Sequence, residues 1–136
     1  MTTISASPAE LIALTCRLLE SIATADWKTY SSLVADDISC FEPEARGHLV
    51  EGLPFHEFYF RLPGSGSKPA APPMTTLASP RVRMLGDDAA VVAYVRMVQK
   101  LDDAGRPITS LCEETRVWQR IGGAWKHVHF HRSLPG

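Results

Sequence analysis

The chain has 136 residues, 45% of them hydrophobic and 21% charged, the balance of one globular domain over 1–136 and not of a disordered, collagenous or coiled-coil chain. Lys and Arg number 14 against 15 Asp and Glu, a formal charge of −1, so no basic excess draws nucleic acid or an anionic membrane. No apolar run reaches the ~18–20 residues that span a bilayer. The first residues lack a basic and apolar leader pattern. Cys16, Cys40 and Cys112 lie far apart and suit free thiols in the cytoplasm, not a disulfide framework or a zinc pattern.

In chain order, Ser7-Pro8-Ala9-Glu10 carries the capping and first-turn residues of a helix start. Leu11, Leu14, Leu18 and Ile22 follow at helical spacing, which predicts a first helix to about Thr24. Asp26 caps a short second helix carrying Trp27, Tyr30, Leu33 and Val34. The segment 38–41 reads as extended until Pro43 interrupts it, and His48-Leu49-Val50 is short and ambiguous. The aromatic run Phe55, Phe58, Tyr59 and Phe60 predicts a third short helix within 52–60. The proline- and glycine-rich stretch 62–73, with Gly64-Ser65-Gly66-Ser67 inside it, reads as a loop. Beyond it, 80–85, 89–101, 108–120 and 124–132 read as strands. Gly122-Gly123 suits a two-residue hairpin turn. Helices first and a meander afterwards predict an α+β domain, its helices on one face of a curved antiparallel sheet.

Several strand residues carry chemistry. Arg96 and Arg116 sit in otherwise apolar strands, with Glu114 on the Arg116 face. A buried arginine requires an anion, either an internal carboxylate such as Glu114 or a bound phosphate or acid. His127, His129 and His131 alternate along one strand and would share a face, a candidate metal cluster. Same-face neighbours stand ~6.5–7 Å apart, so two could meet one ion and hardly three. With Gly122-Gly123 as the turn, a regular ladder pairs Arg116 with His129 and points Arg132 away. A single bulge after His129 would bring Arg132 round. His56 reads as partly exposed on its helix, and Glu42-Pro43-Glu44 as a solvated pair of carboxylates. No nucleophile elbow and no phosphate-cradling glycine loop is present.

The sequence resembles the association (hub) domain of calcium/calmodulin-dependent protein kinase II. The likeness runs from Phe41-Glu42-Pro43-Glu44-Ala45-Arg46-Gly47-His48-Leu49-Val50-Glu51-Gly52 through Phe55-His56-Glu57-Phe58-Tyr59-Phe60 and Gly86-Asp87-Asp88-Ala89-Ala90. It continues in Ala93-Tyr94-Val95-Arg96, Glu113-Glu114-Thr115-Arg116-Val117-Trp118 and Val128-His129-Phe130-His131-Arg132-Ser133. The resemblance implies the cone-shaped nuclear transport factor 2-like fold and self-association into a homodimer or a higher ring. It also implies a pocket for a small carboxylate lined by Arg96, Arg116, Arg132 and His56. No cofactor and no metal are expected. The kinase signature motifs do not occur in these residues, so the resemblance carries no kinase activity. The fold also hosts small-molecule enzymes of the ketosteroid isomerase and polyketide cyclase type. In such an enzyme His129 or Glu114 would be the general base here. A third reading is a pure assembly part, which an apolar patch on the outer sheet face around Val117 would support.

Overall fold

The computed structural model describes residues 6–62 and 73–134. Helix α1 is Pro8–Ala23, capped by Ser7, whose hydroxyl accepts the Glu10 amide. It buries Leu11, Thr15, Leu18 and Leu19. It stops in a left-handed turn: Ala25 has φ 53°, its amide bonds Ile22 O, and the Asp26 amide bonds Ser21 O, the two bonds of a Schellman motif. Asp26 then caps α2, Trp27–Leu33, through the Thr29 amide. Strand β1, Val34–Phe41, begins four residues earlier than expected, taking Val34 from the second helix. A 3-10 turn at Pro43–Ala45 leads to β2, Val50–Glu51, a short edge strand that takes in only Val50 of the ambiguous segment; His48 and Leu49 precede it in irregular backbone. Helix α3 is Pro54–Phe60. Apart from residues 62 and 73, the loop expected at 62–73 lies outside the described residues.

The remaining strands are β3, Met74–Met84; β4, Ala89–Leu101; β5, Pro107–Ile121; and β6, Ala124–Ser133. Strand β3 starts six residues before the expected 80–85 because it is bent, not broken, at Pro80. Ser79 has φ 51° and the β3–β4 register slips between Ala78 and Arg81. A bulge absorbs a proline that a regular ladder would not. Gly122 and Gly123, with φ 60° and 83°, turn β5 into β6 with Ile121 opposite Ala124.

One six-stranded sheet results, in the order β2-β1-β6-β5-β4-β3. It is antiparallel except where β1 lies parallel to β6. The helices cover one face. Beneath them lies the core, centred on Leu11, Leu18, Ile38, Val92 and Trp118. The Trp118 indole donates to Thr15 Oγ1, whose own hydroxyl donates to Leu11 O, so the largest core side chain is tied to α1. The other face carries Val91, Val95, Met97, Leu111 and Val117 and is uncovered by any described element. No helix among the described residues is long and apolar enough to cross a membrane.

Candidate functional site

A register break in the β5–β6 hairpin builds the site. From the turn, regular pairing holds to Trp118 and His127; then Val128 is bulged out and Val117 pairs with His129. The break therefore precedes His129, where the regular ladder had placed Arg116 opposite it. Every later residue of β6 changes face. Phe130 comes opposite Arg116, and Arg132 comes opposite Glu114. The three histidines are separated: His127 is buried inside, while His129 and His131 stand on the outer face beside Phe41. The expected one-face histidine cluster does not form, because a bulge shifts side-chain alternation by one residue.

On the inner face is a cavity of about 250 Å³. Arg96 of β4, Arg116 of β5 and Arg132 of β6 line it, with His56 of α3 opposite. Tyr30 of α2 and Phe130 of β6 supply apolar wall. The ring contacts of Phe60 with Trp27 (5.2 Å) and Tyr30 (4.9 Å) seat α3 on α2 and so hold His56 inward. The half-exposed position expected of His56 is thus replaced by a buried one, 6% exposed.

The arginines are not equivalent. Arg116 is 1% exposed and fully engaged. It donates from Nε to Tyr94 Oη at 2.8 Å, from Nη2 to Glu114 Oε1 at 3.1 Å and from Nη1 to His127 Nε2 at 3.4 Å, and it stacks 4.6 Å above the Phe130 ring. The Tyr94 hydroxyl donates in turn to Glu114 Oε1 at 2.5 Å. Arg96 meets the same carboxylate through Nε, 3.4 Å from Oε2. Among the described residues its guanidinium makes no hydrogen bond, and its side chain is 16% exposed at the cavity. Arg132 is held by both carboxylate oxygens of Glu44, with Glu42 at 3.9 Å.

Electrostatics follow from this burial. Burial pushes the Glu114 carboxyl up, but Arg116, Arg96 and the Tyr94 hydroxyl outweigh it and hold the group below its ordinary range. Glu114 is therefore a fixed anion and a poor base. Burial, aided by the Arg116 charge, lowers His56 to about 4. Burial, then Arg116, takes His127 well below the usual histidine range. Both imidazoles are neutral at pH 7. Burial and then the neighbouring Glu44 raise the Glu42 carboxyl. His129, the other candidate base, is on the far side of the sheet, its Nδ1 2.7 Å from Ser39 Oγ.

Sequence reasoning missed Glu42. Its side chain is 10% exposed and lines the cavity; it is not a solvated surface group. The signal was available: Ile38 and Cys40 alternate along β1 and Glu42, the extended residue just after its end, continues the alternation, so the two buried residues point Glu42 inward. Cys40, Glu42 and His56 bring a thiol, a carboxylate and an imidazole within 4.8 Å of one another. Cys40 Sγ, however, lies 3.7 Å from His56 Nε2 and Glu42 Oε1 4.0 Å from Nδ1. The two approach opposite ring nitrogens, and Arg116 and Arg132 border the same space. That charge distribution favours an anion over a cation.

Comparison with known proteins agrees with this architecture. The family described as calcium/calmodulin dependent protein kinase II association domain matches residues 7–136. The chain belongs to that family. A hub homology domain from Chlamydomonas reinhardtii is 47% identical, with a TM-score of 0.88 over 96% of this chain and 100% of that one. The Caenorhabditis elegans kinase association domain is 40% identical, with a TM-score of 0.84 over 93% and 94% of the two chains. A nuclear transport factor 2-like protein from Salmonella enterica is 25% identical, with a TM-score of 0.71 over 94% and 90%. The association domain therefore has the cone-shaped nuclear transport factor 2-like fold that the helix-then-strand order implied.

Proposed function

We propose that this association domain assembles with copies of itself and binds a small carboxylate in the arginine-lined cavity. The observation that carries the binding reading is the supply of cations there: Arg96 and Arg116 share a single carboxylate, Glu114. The inner end thus holds one positive charge more than its own acids neutralise, and Arg96, which faces Glu114 with its Nε, has Nη donors that no described residue takes. Family membership and the uncovered apolar sheet face support self-association.

The test is a thermal-shift series with small carboxylates, phosphates and divalent metals on the wild type and on Arg96→Ala. Arg96 suits this comparison better than Arg116, because its loss leaves the buried Arg116–Glu114 pair intact. Carboxylates should raise the melting temperature of the wild type with concentration and leave the variant unmoved. No shift, or a shift with metals alone, refutes the binding reading. Light scattering at micromolar concentration checks assembly, and a monomer there refutes it. The enzyme reading finds support in a different residue from those first named. Glu42, the carboxyl raised inside the cavity, is its general-base candidate in place of His129 or Glu114.

A further inference from the structure

The cavity is neutral as a whole but not along its length. Three guanidinium groups (Arg96, Arg116 and Arg132) face three carboxylates (Glu42, Glu44 and Glu114) in its walls and immediately behind them. At the inner end two arginines share Glu114, an excess of one positive charge. At the mouth one arginine, Arg132, has two carboxylates, an excess of one negative charge. An incoming monocarboxylate balances the inner end. It leaves the mouth with an excess negative charge, part of it on the Glu42 carboxylate, whose side chain is only 10% exposed, and an uncompensated charge so far from water is costly.

The two mouth carboxylates differ in how they are held. Glu44 is 40% exposed and meets Arg132 with both oxygens. Glu42 is 10% exposed; its closest cation is Arg132 at 3.9 Å, and its other near neighbour is His56 at 4.0 Å. The groups around it are Cys40 on β1, Glu44 on the 3-10 turn, Tyr30 on α2 and His56 on α3. Arg116 and Glu114 on β5 and Arg132 on β6 complete them. Cys40 and Tyr30 have their ionisations pushed up by burial, and His56 is neutral. Among the described residues lining the cavity, Glu42 is therefore the carboxylate that can take up a proton without breaking a bidentate ion pair.

We propose that a carboxylate entering this cavity is accompanied by a proton, which Glu42 takes up. Binding would then be of the neutral sum, anion plus proton, and acidification would load the domain while alkaline conditions would empty it. This inference rests on the carboxylate-binding reading. The bookkeeping is closed: the ligand arrives as the anion, the proton comes from solvent, and no covalent bond other than O–H forms.

Propionate serves as the probe, being ionised throughout the pH range used. Isothermal titration of the wild type at pH 7, in two buffers of different ionisation enthalpy, should report uptake of close to one proton per propionate. Where Glu42 is ionised in the empty cavity and protonated in the complex, propionate affinity should weaken about tenfold per pH unit. In Glu42→Gln, proton uptake should vanish and affinity should be the same at pH 6 and pH 8. Wild-type binding without proton uptake, at an affinity unchanged from pH 6 to 8, overturns the coupling and leaves the pocket reading standing. Equal proton uptake in Glu42→Gln overturns the assignment to Glu42. Absence of propionate binding at every pH, in wild type and variant alike, overturns both.

Discussion

The pair at the floor of the cavity is the most consequential contact at the residue scale. Glu114 is 2% exposed and Arg116 1% exposed, and neither has water to fall back on. Such a pair adds little over two well-packed apolar residues, because desolvation offsets the Coulomb attraction; breaking it from one side is another matter. Glu114→Gln keeps the volume and removes the charge that Arg116 and Arg96 share. Urea denaturation should find it destabilised by about 3–5 kcal/mol. A loss under about 1 kcal/mol, the range of exposed ion pairs, would mean that the two arginines find another anion. The Arg132–Glu44 pair, with one partner 40% exposed, belongs to that weaker class. The residue that looked catalytic by type, Glu114, is thus structural first. The residue that looked like surface, Glu42, has the freedom to change protonation.

Elements were legible in the sequence wherever periodicity and punctuation agreed. Helix α1 follows from Ser7-Pro8 and the leucine stripe, and β4 ends where its apolar run ends. The front half of β3 was hidden because Pro80 reads as a boundary, while the chain accommodates it in a bulge marked by Ser79 at φ 51°. The bulge at Val128 was hidden for a deeper reason. Sequence alternation continues through His127, His129 and His131, and only tertiary demand decides that the face flips between the first two. That flip puts Phe130 under Arg116 and turns Arg132 inward. Family resemblance, not spacing, had pointed to Arg132. One element end is visibly under strain. Ala25 occupies the left-handed position of the α1 terminus, at φ 53°. An L-residue there costs roughly 1–2 kcal/mol relative to an unstrained backbone, which glycine escapes while losing more chain entropy on folding. Ala25→Gly should therefore stabilise the domain by up to about 1 kcal/mol, read as a higher urea midpoint at unchanged slope. A lower midpoint would show that the Schellman turn does not limit the stability of α1.

At the scale of the whole molecule, the helices and the sheet together enclose titratable groups, which ties folding to pH. His127 is 0% exposed and His56 6% exposed, and both are held neutral well below the ordinary histidine range. In the unfolded chain each titrates near pH ~6.5. Above that pH neither state binds the protons and their contribution to stability is complete. As pH falls through ~6.5 the unfolded chain takes up protons that the folded domain refuses, so stability drops by up to about 1.4 kcal/mol per pH unit for each histidine. For His56 the loss levels off near its folded value of about 4. Glu42 works in the opposite direction. Its folded carboxyl is raised, so it binds a proton before the unfolded one does and favours the fold as pH falls through that raised value. One carboxyl offsets part of what two histidines lose, and the balance is a domain weaker in mild acid. Urea midpoints in a ligand-free buffer should fall between pH 7.5 and 5.5 by the equivalent of about 1–2 kcal/mol, and His127→Gln should remove more than half of that net fall. A midpoint that is flat or rising over that window in the wild type and in Glu42→Gln alike would mean that one of the two imidazoles is protonated in the folded domain. An added charge beside Arg116 would then rewrite the charge balance on which carboxylate binding depends.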